Sequence, residues 1–157
     1  GRVLREIAQS GALLGFEPAV RFVGPVDSML SALEADHLVA ALREALTNVI
    51  DNALRYGQPA QPTQAPSIEP SVTVSVHIAD ENVVLTVEDN GPGIPAEERE
   101  RVLDRFYRPA QAPTGGSGLG LAIVREIAQG HDATLALEER EGGGLRVVLR
   151  FPFKAAA

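Results

Sequence analysis

Residues 34–56 have the sequence EADHLVAALREALTNVIDNALRY, and this stretch determines the most clearly defined element of the fold. Its apolar side chains recur every three or four residues, which is the spacing of one face of an α-helix. Gly57 follows directly and is a natural helix stop. The pattern therefore predicts a long amphipathic helix whose buried face consists of Leu38, Leu42, Leu46, Val49, Ile50 and Ala53.

The opposite face of this helix carries a ridge of polar side chains, Glu44, Asn48, Asn52 and Arg55. A single exposed Asn or Glu is usually a solvated residue with no further role. Asparagine is a mediocre helix former, however, so two of them one turn apart lower the helix propensity unless their amide oxygens bind something, such as a hard cation. The residues alone leave a solvated face and a ligand-binding face as equal interpretations.

A β-hairpin is predicted downstream of the helix. Apolar and polar residues alternate over residues 72–78, residues 80–82 (DEN) provide a turn, and residues 83–87 again have the composition of a strand. Residues 57–71, between helix and hairpin, contain four prolines and three glutamines and no periodicity. We expect a mobile loop there, followed by a hairpin with one buried face.

The other predicted elements alternate irregularly between helix and strand. They are a helix or linker at residues 1–15, a strand at 18–23, a helix from Pro95 to about Arg105, a helix at 119–129, and strands at 135–137 and 145–151. This order favours a single α+β domain over residues 1–157, built as a two-layer α/β sandwich rather than a doubly wound sheet.

Two glycine-containing segments carry a possible chemistry. Residues 89–94 (DNGPGI) place a carboxylate and two glycines directly after a strand, although a plain tight turn has the same composition. Residues 115–121 (GGSGLGL) precede a predicted helix, where backbone N–H groups can approach phosphates. A flexible linker is the alternative for this second segment. A dinucleotide fingerprint is excluded because no hydrophobic strand precedes it.

Composition narrows the function classes. The net charge of −7 argues against nucleic acid as a partner, because phosphate-backbone binding needs clusters of Lys and Arg. Cysteine is absent, which excludes disulfides, thiolate metal sites and cysteine nucleophiles. No apolar run approaches the roughly 18 residues of a membrane span. We expect a cytoplasmic domain that makes no membrane contact.

Taken in order, these motifs resemble a known family. The polar helix, Asp89-x-Gly91-x-Gly93, the segment 106–108 (FYR) and the glycines of residues 116–121 resemble the N, G1, F and G2 boxes of histidine-kinase ATPase domains. The resemblance covers residues 36–153 and implies the Bergerat fold shared with gyrase and the Hsp90 chaperones. That fold is a mixed, mostly antiparallel sheet backed by about three helices, with ATP between them and an ATP lid at residues 105–118.

The resemblance also implies roles for individual residues. Asn52 matches the Mg²⁺-ligating asparagine of the family, and Asn48 matches the polar residue one turn earlier. Asp89 matches the carboxylate that accepts from the adenine amino group and so favours ATP over GTP. Asn48 and Glu44 are the catalytic candidates. The remaining ATP-binding candidates are Arg55, Tyr56, Gly91, Gly93, Ile94, Arg108, Gly116, Ser117, Gly118, Leu119, Gly120 and Leu121.

Two positions depart from the family pattern. Gly144 is followed by Leu145 where the family usually has Gly-Thr, which removes a hydroxyl near the adenine. Residues 131–133 (HDA) replace a usual His-Gly-Gly. Neither change removes a phosphate or metal contact.

The implied function is that of a sensor histidine kinase domain that presents the γ-phosphate of ATP to a histidine on a separate helical-hairpin domain, with a response regulator downstream. His37, His77 and His131 lack the His-Glu followed by Pro of the phosphoacceptor, so we expect ATP binding without self-phosphorylation. The parent kinase of such a domain can be membrane-bound. The alternatives are a serine-kinase anti-sigma factor of the same fold and a degenerate or engineered scaffold domain that does not catalyse.

Overall fold

The computed structural model describes residues 19–23, 36–56, 71–107 and 120–152, with the backbone alone for residues 19–23, 36–39 and 54–56. The predicted segments at 1–15, 57–70 and 108–118 lie outside these ranges. The described elements are β1 (Ala19–Val23), α1 (Asp36–Tyr56), β2 (Ser71–Ala79), β3 (Asn82–Asp89), 3₁₀ turns at Ala96–Glu98 and Arg101–Leu103, α2 (Gly120–Gly130), β4 (Thr134–Glu139) and β5 (Leu145–Pro152).

The described strands form one sheet of five, in the order β1-β2-β3-β5-β4. β1 pairs with β2 in parallel, and every other neighbouring pair is antiparallel. Asp80 and Glu81 join β2 to β3 with positive φ angles of 49° and 60°, the backbone of a two-residue hairpin turn. The predicted hairpin and the predicted two-layer α+β sandwich with a mixed, mostly antiparallel sheet are therefore confirmed.

One face of the sheet packs against α1 and α2. Alternate residues along β3 point to this face, and the fully buried Phe151 of β5 lies in the same cluster. From α1 the cluster receives the predicted stripe of apolar side chains. Its described members are Leu42, Leu46, Val49, Ile50 and Ala53. The long helix prediction is confirmed, because this stripe has a sheet face to cover.

The predicted helix from Pro95 to about Arg105 is wrong. Two separate 3₁₀ turns occupy this stretch, closed by i to i+3 bonds such as the Glu98 N–H to the Pro95 carbonyl at 2.9 Å. Val102 is the single side chain of these two turns that is buried. Without an apolar stripe to pack, acidic residues near the helix start do not stabilise a continuous helix.

Smaller differences concern element ends. Ser71 belongs to β2 rather than to the preceding loop, because it pairs with Ala19 of β1; its N–H also donates to the Asn90 side-chain oxygen at 2.8 Å. The helix predicted at 119–129 is observed as Gly120–Gly130, and the strand predicted at 135–137 extends over Thr134–Glu139. Of the helices described, neither is long and apolar enough to cross a membrane.

Candidate functional site

Asp89 is the buried centre of the candidate site. It ends β3 on the face that carries Val83, Leu85 and Val87, and only 4% of it is exposed. Its Oδ1 accepts the N–H of Gly91 at 2.9 Å and the N–H of Leu145 at 3.3 Å. In the described part of the chain no group donates to its second oxygen, Oδ2. Among the described residues, one oxygen of the buried carboxylate therefore has no hydrogen-bond donor.

Burial raises the pKa of Asp89, because the charged form loses hydration. The two backbone N–H groups and the Arg140 guanidinium act in the opposite direction and lower it. Desolvation is the largest of these effects. A ligand that donates a hydrogen bond to the carboxylate would therefore offset part of the cost of burying the charge.

The loop after Asp89 is held tightly on both sides. Gly91 folds back on the carboxylate, and the Asn90 side chain binds the start of β2. Gly93 has a φ of 73°, and a Cβ added there would lie 3.1 Å from the Gly144 carbonyl oxygen. Ile94 is partly buried and packs on the core. A glycine at position 93 therefore allows the two loops to approach each other closely.

Helix α1 supplies the predicted polar ridge. Asn48 and Asn52 are partly buried one turn apart, and Glu44 is exposed one turn before them. The Asn48 amide group donates to the Glu44 carbonyl at 2.9 Å, which leaves the Asn48 side-chain oxygen as the group for a ligand. The side chain of Asn52 makes no hydrogen bond to any other residue that the structure describes. The side chains of Arg55 and Tyr56 lie outside the description.

The N-terminus of α2 lies next to this ridge. Gly120 begins the helix, and a Cβ added there would be 4.0 Å from the Asn48 backbone oxygen. Leu121 is buried in the next position. The positive end of the α2 dipole is therefore brought beside Asn48 of α1, an arrangement suited to anionic oxygen atoms. The other predicted lid contacts, Arg108, Gly116, Ser117, Gly118 and Leu119, fall outside the described residues.

The start of the predicted lid and the residue before it are held to α2 by two crossed ion pairs. Arg105 pairs with Glu126, and Arg125 pairs with Asp104 at 3.3 Å. Phe106, the second residue of the predicted lid, has a φ of 65° and is 71% exposed. These contacts fix the start of the predicted lid against the middle of α2.

Sequence reasoning missed the residues that hold Asp89 from the far side. The sequence predicts Leu145 as the start of a strand and as a position without the family's hydroxyl, whereas the structure shows its backbone N–H to be a direct partner of the carboxylate. Gly144 was noted only as its neighbour, but a Cβ there would lie 2.0 Å from the Asp89 backbone oxygen. The run of three glycines at 142–144 was the signal that a close backbone approach is required.

Comparison with known proteins identifies the family. The profile of the family described as histidine kinase-, DNA gyrase B-, and HSP90-like ATPase matches residues 38–155. The chain belongs to this family.

Its relatives within the family are sensor histidine kinases. The sensor histidine kinase GtrS of Pseudomonas aeruginosa is 40% identical over 113 residues, which are 71% of this chain and 21% of that protein. The sensor-type histidine kinase PrrB of Mycobacterium tuberculosis is 40% identical over 115 residues, 73% of this chain and 24% of that protein. The chain thus spans about a fifth to a quarter of the length of these relatives.

Solved structures agree with the fold. The ATP-binding domain of PrrB from Mycobacterium tuberculosis superposes with a TM-score of 0.66 at 29% identity, covering 98% of this chain and 93% of that one. The mycobacterial sensor histidine kinase MprB gives a TM-score of 0.69 at 27% identity, covering 99% of this chain and 93% of that one. The family resemblance and the Bergerat fold expected from the sequence are confirmed.

Proposed function

We propose that this chain is the ATP-binding catalytic domain of a sensor histidine kinase and that it presents the γ-phosphate of ATP to a histidine on a separate helical-hairpin domain. The observation that carries the proposal is the geometry of the buried Asp89 carboxylate. Two backbone N–H groups donate to its Oδ1, and no described group donates to its Oδ2, which can accept from a ligand. Family membership and relatives that are sensor histidine kinases support it.

Asp89 selects adenine by hydrogen-bond chemistry. An ionised carboxylate only accepts hydrogen bonds, and the exocyclic amino group of adenine donates them. Guanine has a carbonyl at the same ring position, which would face the carboxylate with lone pairs on both sides. Because the carboxylate is buried, water cannot compensate for that mismatch, and ATP is favoured over GTP.

The polar ridge of α1 fits Mg²⁺ bound together with phosphates. Magnesium in nucleotide sites takes few protein ligands and completes its octahedron with phosphate and water oxygens. The amide oxygens of Asn52 and Asn48 are hard donors of this kind, and no cluster of three acidic or imidazole side chains competes for the ion among the described residues. When bound, Mg²⁺ would neutralise charge on the phosphates. Asn52 is the proposed ligand.

Phosphoryl transfer in such a site depends on positioning and charge neutralisation. The phosphates would lie between two elements: the α2 N-terminus at Gly120 would face them from one side, and the polar ridge of α1 would face them from the other. Asn48 and Glu44 are the groups of the ridge that would orient the reacting end of the nucleotide. The lid glycines, Arg55 and Arg108 would add donors to the phosphate oxygens.

The phosphoacceptor histidine belongs to a partner domain in this proposal, and a response regulator accepts the phosphoryl group downstream. His77 is exposed on β2, and His131 packs against Phe151 with ring centroids 6.2 Å apart. Neither lies at the α1 ridge. The domain would work in the cytoplasm, attached to a sensor that can be membrane-bound. Nothing observed favours the serine-kinase anti-sigma factor or the scaffold domain.

Calorimetric titration tests the proposal. The domain is titrated with a non-hydrolysable ATP analogue with and without Mg²⁺, and with the matching GTP analogue as control. We expect micromolar-range binding that is stronger with Mg²⁺ and weaker for the guanine nucleotide. Adding a histidine-bearing hairpin domain in trans together with ATP should then yield phosphohistidine. Absence of nucleotide binding by the folded domain would contradict the proposal and favour the scaffold alternative.

A further inference from the structure

The turn between β4 and β5 lies against the end of β3. It contains Gly142, Gly143 and Gly144, whose φ angles are 89°, 104° and 113°. Two backbone hydrogen bonds close it, from the Gly143 N–H to the Arg140 carbonyl at 2.9 Å and from the Arg140 N–H to the Gly144 carbonyl at 3.0 Å. All three glycines have a backbone that other residues rarely adopt.

Only one of the three glycines also lacks room for a side chain. A Cβ on Gly144 would lie 2.0 Å from the backbone oxygen of Asp89 and 3.1 Å from the Asn90 Cα. A Cβ on Gly142 or Gly143 would meet nothing within 4 Å. The three positions therefore share the conformational requirement, and Gly144 alone adds a direct backbone contact with the candidate site.

This contact has a consequence for the carboxylate. The approach of Gly144 to the Asp89 backbone brings the next N–H, that of Leu145, within 3.3 Å of Asp89 Oδ1. The N–H of Gly91, two residues after Asp89, donates to the same oxygen at 2.9 Å. Two donors that converge on one oxygen restrict rotation of the carboxylate and hold its other oxygen in a single direction.

We infer that Gly144 is a positioning residue of the adenine site, because it places the Leu145 N–H on Asp89 Oδ1 and so directs Oδ2 towards the exocyclic amino group of the base. The inference rests on the proposed function. Gly93 supports the same arrangement, since its Cβ position lies 3.1 Å from the Gly144 carbonyl and the two loops are in contact there as well.

The variant Gly144→Ala has a defined geometric effect. Because carbon and oxygen atoms of this kind do not approach within 3.0 Å, the turn must move by about 1 Å or more to admit the methyl group. A bond of 3.3 Å that lengthens by that amount is no longer a hydrogen bond. Gly143→Ala is the matched control, because it imposes a similar backbone strain with no contact at Asp89.

The experiment measures adenine selectivity rather than affinity alone. Wild type, Gly144→Ala and Gly143→Ala are titrated with a non-hydrolysable ATP analogue and with the same analogue carrying unsubstituted purine, which lacks the 6-amino group. We expect wild type and Gly143→Ala to prefer the adenine analogue by the same ratio. In Gly144→Ala we expect that ratio to fall about tenfold, because the base amino group loses an oriented charged acceptor. Circular dichroism verifies that each variant is folded.

The outcomes separate the two proposals. If wild type does not distinguish the analogues, the adenine role of Asp89 fails, and the role of Gly144 fails with it. If wild type distinguishes them and Gly144→Ala keeps the wild-type ratio, only the inference about Gly144 is overturned. An equal fall in both variants would also overturn it, because strain alone would then explain the effect.

A second measurement uses the wild type and Asp89→Asn, and it does not depend on the folding of a Gly144 variant. The backbone amide signals of Gly91 and Leu145 are followed by NMR as the Asp89 carboxyl is titrated with acid, with Asp89→Asn as reference. We expect both signals to shift along one titration curve, since both N–H groups bind the same oxygen. The inference would be overturned if the Leu145 amide signal did not shift during the titration.

Discussion

Replacing Asp89 by asparagine tests the site with little change in shape. The side-chain oxygen of Asn can still accept the N–H groups of Gly91 and Leu145, so the loop geometry should persist. Its amide nitrogen then takes the place of Oδ2. In the variant an N–H₂ group would face the adenine amino group, donor against donor, where the wild type has an acceptor.

The size of the effect follows from this exchange. A hydrogen bond to a charged group contributes about 1.5–3 kcal/mol, which corresponds to a loss of roughly 10- to 150-fold in affinity for the ATP analogue. The burial of Asp89 favours the upper part of this range, because water cannot enter to replace the lost partner. Affinity for the guanine analogue should be retained or improved, since its carbonyl would now meet a donor.

Stability should change in the other direction. Burial raises the pKa of Asp89, so the folded protein binds a proton more readily than the unfolded chain does. The contribution of Asp89 to the stability of the wild type is therefore fully present below the pKa of this group in the unfolded chain, and it is lost as the pH rises through the folded pKa. Asp89→Asn lacks this fall. At neutral pH the variant should unfold at a urea concentration at least as high as the wild type.

Two assays together decide the matter. Calorimetric titration with the two nucleotide analogues gives the selectivity, and urea unfolding at several pH values gives the stability of the proteins without ligand. A folded variant that keeps the wild-type preference for adenine would refute the assignment of Asp89. A variant that is less stable than the wild type at neutral pH would refute the claim that the buried charge costs stability.

Three further predictions concern the proposed Mg²⁺ ligand, the hydrophobic core and an ion pair at the start of the predicted lid. Asn52→Ala should reduce the Mg²⁺ dependence of ATP-analogue binding measured by calorimetry. Thr47→Ala, an exposed position on the same helix, is the control and should leave it unchanged. Equal Mg²⁺ dependence in the wild type and both variants would show that Asn52 does not bind the metal. Phe151→Ala should lower the free energy of unfolding by about 3–5 kcal/mol in urea, because the ring is 0% exposed and leaves a cavity; a loss below about 1 kcal/mol would mean that the core is packed differently. Arg125→Ala should cost less than about 1 kcal/mol in the same assay, because its ion pair with Asp104 is exposed; a larger loss would show that the crossed pairs act as a unit.

The parts of the fold that could be predicted are those that a local pattern encodes. The stripe of α1 has the helical period and finds a sheet face to cover, so the prediction held. The hairpin held because residues 72–78 alternate and a short turn follows them. The helix after Pro95 failed because it was inferred from a proline and acidic residues alone. Such signals favour a helix start but provide no buried face, and only Val102 is buried there.

The site divides in the same way. The chemistry proposed for Asp89, Asn48 and Asn52 lies in their side chains, so a resemblance of motifs could point to them. The partner of Asp89 at Leu145 could not be found in this manner, since the two residues are 56 positions apart and the donor is a backbone N–H. Only the register of β3 with β5, in which Glu88 faces Arg146, brings that N–H to the carboxylate.

Gly144 shows why comparing side chains alone misjudges this region. When only side chains are compared, Gly144-Leu145 lacks a hydroxyl group that the family usually has, because a threonine usually follows the glycine. Judged by the backbone, the contact that orients Asp89 needs no side chain at either position: it needs a missing Cβ at Gly144 and an N–H at Leu145. Any residue except proline supplies that N–H, whereas glycine alone fits the first position. Variation at 145 should therefore be tolerated by the adenine site far better than variation at 144.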